Sequence, residues 1–179
     1  GETVELLQTL IRNACVNDGT AGSGEEVRNA DALAALLELP GVELERFDAA
    51  PGRRSLVARL RGTDPAAPTL CLMGHTDVVP ADPSGWPRDP LGGEVVTAPP
   101  RHGRPALPAV WGRGAADMLN LTASMAVAIR QLGRQAAEPL LAPRHERDTV
   151  PASSQFAGEI DPDAARCAGH DRDLAGQIE

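Results

Sequence analysis

The sequence predicts an α/β layered fold, and three observations carry that prediction. Apolar residues recur at helical spacing near both ends of the first 132 residues, two segments between them alternate in the manner of strands, and Leu70-Cys71-Leu72-Met73 forms a continuous apolar run between Pro68 and Gly74. Helices bracketing strands in this order point to a sheet covered by helices. The length of 179 residues suits one domain and is short for two.

Taken in order, residues 2–15 place Val4, Leu7, Leu10, Ile11 and Ala14 at three- and four-residue spacing, the pattern of a helix burying one stripe. Asn17-Asp18-Gly19 ends it. Ser23-Gly24-Glu25-Glu26 reads as a capping box, in which the serine and the glutamate three positions later pair with free N–H groups at a helix start. A second helix is therefore expected from Ser23, with Val27, Ala30, Ala34 and Leu37 as its stripe and Pro40-Gly41 as its stop. Val42–Phe47 and Ser55–Leu60 read as half-exposed strands of an edge hairpin turned through Pro51-Gly52. Leu70–Met73 is expected to be a strand buried on both faces, and Ala109–Gly112 a further short strand. The clearest helix runs over Leu119–Leu132, with Leu121, Met125, Ile129 and Leu132 in register.

Two stretches break the pattern. Residues 97–109, rich in Pro, Ala and Arg, read as an exposed loop. From Gly133 to Glu179 only seven Leu, Ile, Val or Phe residues stand beside nine acids and five arginines, a composition too polar to offset chain entropy by burial. Residues 133–179 are therefore expected to be disordered or poorly packed. A shift of reading frame in GC-rich coding sequence would produce text of this kind.

Composition excludes several function classes. A net charge of −8 gives no basic surface for nucleic acid or an anionic membrane, so neither is expected as a partner. All 17 basic residues are arginine. Cys15, Cys71 and Cys167 are odd in number and widely spaced, which argues against a disulfide framework or a zinc finger and for a reducing cytoplasm. No run of eighteen apolar residues suggests a membrane span, and the first thirty residues do not resemble a secretory leader.

Chemistry concentrates in two segments. In Gly74-His75-Thr76-Asp77, at the carboxyl end of the expected buried strand, residues two apart project to one side, so the His75 ring and the Asp77 carboxylate face one site. A carboxylate beside an imidazole fixes its orientation and raises its basicity toward a metal. On spacing alone, His75 as a strand cap and Asp77 as a turn start remain open. In Trp111-Gly112-Arg113-Gly114-Ala115-Ala116-Asp117-Met118, Asp117 precedes a helix whose positive dipole end favours a carboxylate, so a plain N-cap is open there too.

Together, GHTDVVP, PSGWPRDPLGGEV and VWGRGAADM resemble the metal-dependent hydrolases that include acetylornithine deacetylase, succinyl-diaminopimelate desuccinylase, aminoacylase and zinc exopeptidases. The resemblance covers most of residues 2–132, with 97–109 as an inserted loop and 133–179 as a tail foreign to the family. It implies a three-layer zinc-exopeptidase-like (phosphorylase/hydrolase-like) α/β fold, truncated after the helix that follows the second motif. It also implies that His75 binds one of two zinc ions, that Asp77 acts in catalysis by orienting His75, and that Asp117 bridges the two ions through a cis Asp117–Met118 peptide. The implied activity is hydrolysis of amide bonds in N-acyl amino acids or small peptides.

The family's downstream Glu-Glu pair, a general base and a ligand, and its later acidic and histidine ligands have no counterpart. No two acids are adjacent beyond Asp117, and the only Glu-Glu, Glu25-Glu26, precedes the motifs. Glu159, Asp161, Asp163, His102, His145 and His170 read as solvated side chains. The chain alone is accordingly expected to be inactive. The alternative is a binding module that needs a partner chain or self-associates through an exposed sheet edge. Arg113 is expected to hold its turn, and Trp86 and Trp111 to pack beside the site.

Overall fold

The computed structural model describes residues 1–100, 103 and 105–141. Helix α1 (Glu2–Arg12) turns Leu6, Leu7, Leu10 and Ile11 inward, and α2 (Val27–Leu37) buries Ala30, Leu33, Ala34 and Leu37. Strands β1 (Val42–Ala50) and β2 (Arg53–Leu60) form the expected antiparallel hairpin, with Val42 opposite Leu60 and a register shift between Asp48 and Ala50. Strands β3 (Glu94–Ala98) and β4 (Leu107–Trp111) form a second one, pairing Glu94 with Trp111. Helix α3 (Leu119–Leu141) closes the described chain.

The core lies among the three helices. Leu6, Leu7, Leu10 and Ile11 of α1, Leu33 and Leu37 of α2, and Leu119, Ala123, Ala126 and Val127 of α3 form one buried cluster with Val78. An ion pair between Arg130 of α3 and Glu2 of α1 crosses its edge. The β1–β2 hairpin docks on α2 through Arg53, whose Nε lies 2.6 and 2.8 Å from the two carboxylate oxygens of the buried Glu26. The β3–β4 hairpin docks on α1 where Gln8 Nε2 and Arg12 Nε donate to the carbonyls of Gly93 and Gly92 at 2.7 and 2.9 Å.

The mixture of helices and strands matches the expected class, but several elements differ from the sequence reading. Helix α2 starts at Val27 and no side chain caps it, because Ser23 is engaged elsewhere: its hydroxyl accepts from Asp18 N and donates to Thr20 O. The strand expected at Leu70–Met73 is absent. Residues 69–77 have no ladder partner among the described residues, and Leu70 and Met73 are each 81 % exposed. A strand buried on both faces needs neighbours on both edges, and the sheets present are two separate hairpins. The proline-rich loop is shorter than expected, since strand pairing claims residues 97–98 and 107–109.

Helix α3 differs twice. It runs through Gly133 to Leu141, and Gly133 is a point of close approach: a Cβ there would lie 3.1 Å from Val42 Cγ2. Its buried face is Leu119, Ala123, Ala126 and Val127, whereas Leu121 and Leu132 of the expected stripe are exposed. The residues expected to form the polar tail lie outside the described chain beyond Leu141.

One glycine lets the two motif segments meet. Gly114 has φ +84°, and a Cβ on it would stand 2.6 Å from Val78 Cγ1 and 2.7 Å from Leu119 Cδ1, both buried. Gly41 shares the conformation at φ +85° with open space around it. Both alanine variants suffer the backbone penalty, but only Gly114→Ala adds a clash. Chemical denaturation is expected to show Gly114→Ala less stable than Gly41→Ala by about 1–3 kcal/mol.

Candidate metal-facing site

The site is built where three stretches of chain converge. Val78 pairs with Val16 in an isolated parallel bridge, donating to Cys15 O at 2.9 Å and accepting from Asn17 N at 2.8 Å. This clasp holds residues 74–78 against the loop after α1. Gly74 lies flat on α3, where a Cβ would stand 2.6 Å from Thr122 Oγ1. Gly114 O accepts from Leu119 N at 2.9 Å, which sets the approach of Asp117 to the start of α3.

Side chains replace the missing sheet partners of residues 75 and 76. Thr122 Oγ1 donates to His75 O at 3.0 Å, and Asn29 Nδ2 donates to Thr76 O at 2.7 Å. Asn29 is fully buried on α2, and its Oδ1 accepts from Asn13 Nδ2 at 2.9 Å. Both carbonyls are thereby paired without a β-ladder.

His75, Asp77 and Asp117, the three residues singled out from the motifs, come together. His75 Nδ1 stands 2.9 Å from Asp77 O and 3.2 Å from Asp77 Oδ1, so both acceptors place a proton on Nδ1. The opposite nitrogen, Nε2, faces Asp117 Oδ1 at 3.4 Å. His75 and Asp117 are exposed and Asp77 is half-buried. The Asp117–Met118 peptide is cis, as the resemblance implies.

The pair suits a divalent metal. Two ligands bonded at about 2.0–2.1 Å to one tetrahedral ion stand roughly 3.3–3.4 Å apart, close to the Nε2–Oδ1 separation, and imidazole with carboxylate is a common donor set. The set is incomplete, however. Among the described residues no group of three or more His, Cys, Asp or Glu side chains is placed to hold an ion, and a catalytic zinc takes three protein ligands. Glu159, Asp161, Asp163, His102, His145 and His170 lie outside the described residues.

Neighbouring residues serve packing. Trp86 and Trp111 meet edge to face with centroids 5.7 Å apart, and the Arg113 guanidinium lies 5.0 Å over the Trp86 ring. Arg113 also ties its turn through its N–H, which donates to Pro90 O at 2.6 Å. Cys15 is buried, and desolvation pushes its thiol pKa up, while Cys71 is exposed; both are free thiols. No described helix is long and apolar enough to cross a membrane.

The sequence reading missed Asn17, Asn29 and Thr122. Asn29 and Thr122 carried a signal, as polar residues on the buried faces of α2 and α3. Asn17 carried none beyond its turn propensity.

Residues 71–141 match the sequence pattern of peptidase family M20/M25/M40. The chain is 38 % identical over 132 residues to the succinyl-diaminopimelate desuccinylase of Aromatoleum aromaticum, covering 73 % of this chain and 29 % of that one. The enzymes of the same name from Rhodospirillum centenum and Methylobacterium nodulans are 35 % and 39 % identical over 133 and 129 residues, covering 72 % and 69 % of this chain and 30 % and 28 % of theirs. The chain thus spans less than a third of the length of these relatives.

The buried Asn29 link gives a direct test of how the site is held. Asn29→Ala leaves Thr76 O and Asn13 Nδ2 short of a partner and is expected to cost about 1–3 kcal/mol, read as a lower urea midpoint at unchanged slope. Ser124→Ala, on the exposed side of α3, should stay within about 0.5 kcal/mol of the parent.

Proposed function

The matched segment makes this chain a partial member of peptidase family M20/M25/M40, and on that footing we propose that it supplies the first part of a zinc-dependent amide-hydrolase site. The substrates proposed are N-acyl amino acids or small peptides. The observation that carries this reading is His75 Nε2 facing Asp117 Oδ1 at 3.4 Å, with Nδ1 occupied by Asp77.

In this reading His75 and Asp117 would be the residues that hold zinc. Bound there, it would supply Lewis acidity toward an amide carbonyl and hydroxide from water near neutral pH. Asp77 would fix the His75 proton on Nδ1, so that the ring presents its Nε2 lone pair outward. Asn29 and Thr122 hold the backbone that carries both side chains. The full domain is proposed to be the three-layer fold. The free thiols suit the reducing cytoplasm proposed for it.

Two candidate ligands are too few for tight binding or turnover, so the chain alone is proposed to bind zinc weakly and to hydrolyse nothing. Calorimetric titration with zinc should give a single weak binding event that His75→Ala removes, with no release of amino acid from N-succinyl or N-acetyl substrates. Tight binding of two ions with hydrolysis that His75→Ala abolishes would overturn the proposed inactivity.

A second reading, a binding module, is favoured by one observation: the bare Leu70–Met73 segment, an unpaired backbone carrying exposed apolar side chains. It expects association through that edge. Size-exclusion chromatography with light scattering should then show an oligomer with or without zinc, which Leu72→Lys together with Met73→Lys disperses. A stable monomer at all concentrations would remove this reading.

A further inference from the structure

We propose that Asn17 is a positioning residue for the metal-facing pair, holding the Asp77 carboxylate in the orientation from which it directs His75. Asn17 Nδ2 donates to Asp77 Oδ2 at 2.9 Å, while Asp77 Oδ1 takes His75 Nδ1 at 3.2 Å. Each oxygen of the carboxylate thus has its own partner, and the group cannot turn without losing one.

The amide is set in that sense by its other end. Asn17 Oδ1 accepts from Gly19 N at 3.0 Å and lies 3.4 Å from Ser23 Oγ, whose proton goes to Thr20 O. Turned over, the amide would press its oxygen against the carboxylate and its NH2 against the Gly19 N–H, two mismatches at once. The backbone of Asn17 is placed independently of its side chain by its N–H bond to Val78 O. The surrounding loop is braced by Asp18, whose Oδ1 accepts from Thr20 N and Thr20 Oγ1 at 2.9 and 2.7 Å; these bonds, the Thr20 hydroxyl first, hold the Asp18 carboxyl down at about 2.

Removal of the Asn17 amide therefore frees the Asp77 carboxylate and the Gly19 N–H, while the bond from Asn17 N to Val78 O still holds the backbone at residue 17. His75 Nδ1 then keeps its 2.9 Å contact with Asp77 O but loses the carboxylate at 3.2 Å, the stronger of the two acceptors that bias its proton toward Nδ1. The metal arm of this inference rests on His75 as a zinc ligand; the ring arm does not.

The test uses the full chain and two readouts. Long-range 15N–1H correlation of the neutral His75 ring reads where its proton sits without any metal. The parent is expected to hold it on Nδ1, Asn17→Ala to show a mixture, and Thr20→Ala, which loosens the loop without touching Asp77, to match the parent. Zinc dissociation constants are expected to rise about tenfold in Asn17→Ala. In the Asp77→Ala background, Asn17→Ala should add nothing, which a merely structural role would not produce. A parent that binds no zinc sinks the metal-site reading, and the ring proton then decides on Asn17 alone. An unchanged ring in Asn17→Ala, or a zinc effect that persists undiminished in the Asp77→Ala background, overturns the inference.

Discussion

The backbone clasp at Val78, which donates to Cys15 O and accepts from Asn17 N, is the contact on which the rest of the molecule depends. Val78 is buried among α1, α3 and the Gly114 turn, so the same residue closes the hydrophobic cluster and anchors the segment that carries His75 and Asp77. Burial and hydrogen bonding cooperate there. The apolar side chain excludes water from the two amide bonds, and those bonds let the backbone enter an apolar region without unpaired groups. The glycine at 114 is the geometric condition for this contact, since any side chain on it would push Val78 and Leu119 apart.

The clasp also explains why the site end of residues 69–77 is ordered by side chains while the other end is bare. Near Val78 the carbonyls of His75 and Thr76 find Thr122 and Asn29 within reach on α3 and α2. Toward Leu70 no described element offers a comparable partner, and the side chains of Leu70 and Met73 stand in solvent. Side-chain donors fixed on rigid helices are directional and local, so they substitute for a β-ladder over two residues but not over eight. The segment has the composition of a central strand and the surroundings of an edge.

That contrast marks what the sequence could reveal. Local patterns were legible: Leu7, Leu10 and Ile11 of the α1 stripe, the Pro51-Gly52 hairpin and the start of α3 all depend on residues close in sequence, although Val4 of that stripe is exposed and Leu6 is buried instead. The pairing of His75 with Asp77 and their approach to Asp117 were legible because the motifs encode short-range geometry. Readings that depend on contacts outside the repeating pattern failed for physical reasons. Ser23 has the chemistry of a cap, but the nearby Asp18–Thr20 turn takes its hydroxyl. The apolar pattern of α3 fades at Leu132, but the helix continues through Gly133, where Val42 Cγ2 lies within 3.1 Å of the place a Cβ would take. Asn17 meets Asp77 across sixty residues, a separation that no local periodicity reports.

The order in which these contacts form bears on the chemistry. Every bond that places His75 and Asp77, from the Val78 clasp to Asn17, Asn29 and Thr122, is made by protein groups without an ion. Metal binding therefore need not supply the free energy that organises this half of the site, unlike structural zinc centres where folding and binding are one event. Preorganised donors lower the cost of binding, yet two donors cannot enclose an ion. What the described chain lacks is coordination number, which the clasp cannot provide because it draws together only the loop after α1, the 74–78 segment and the turn before α3.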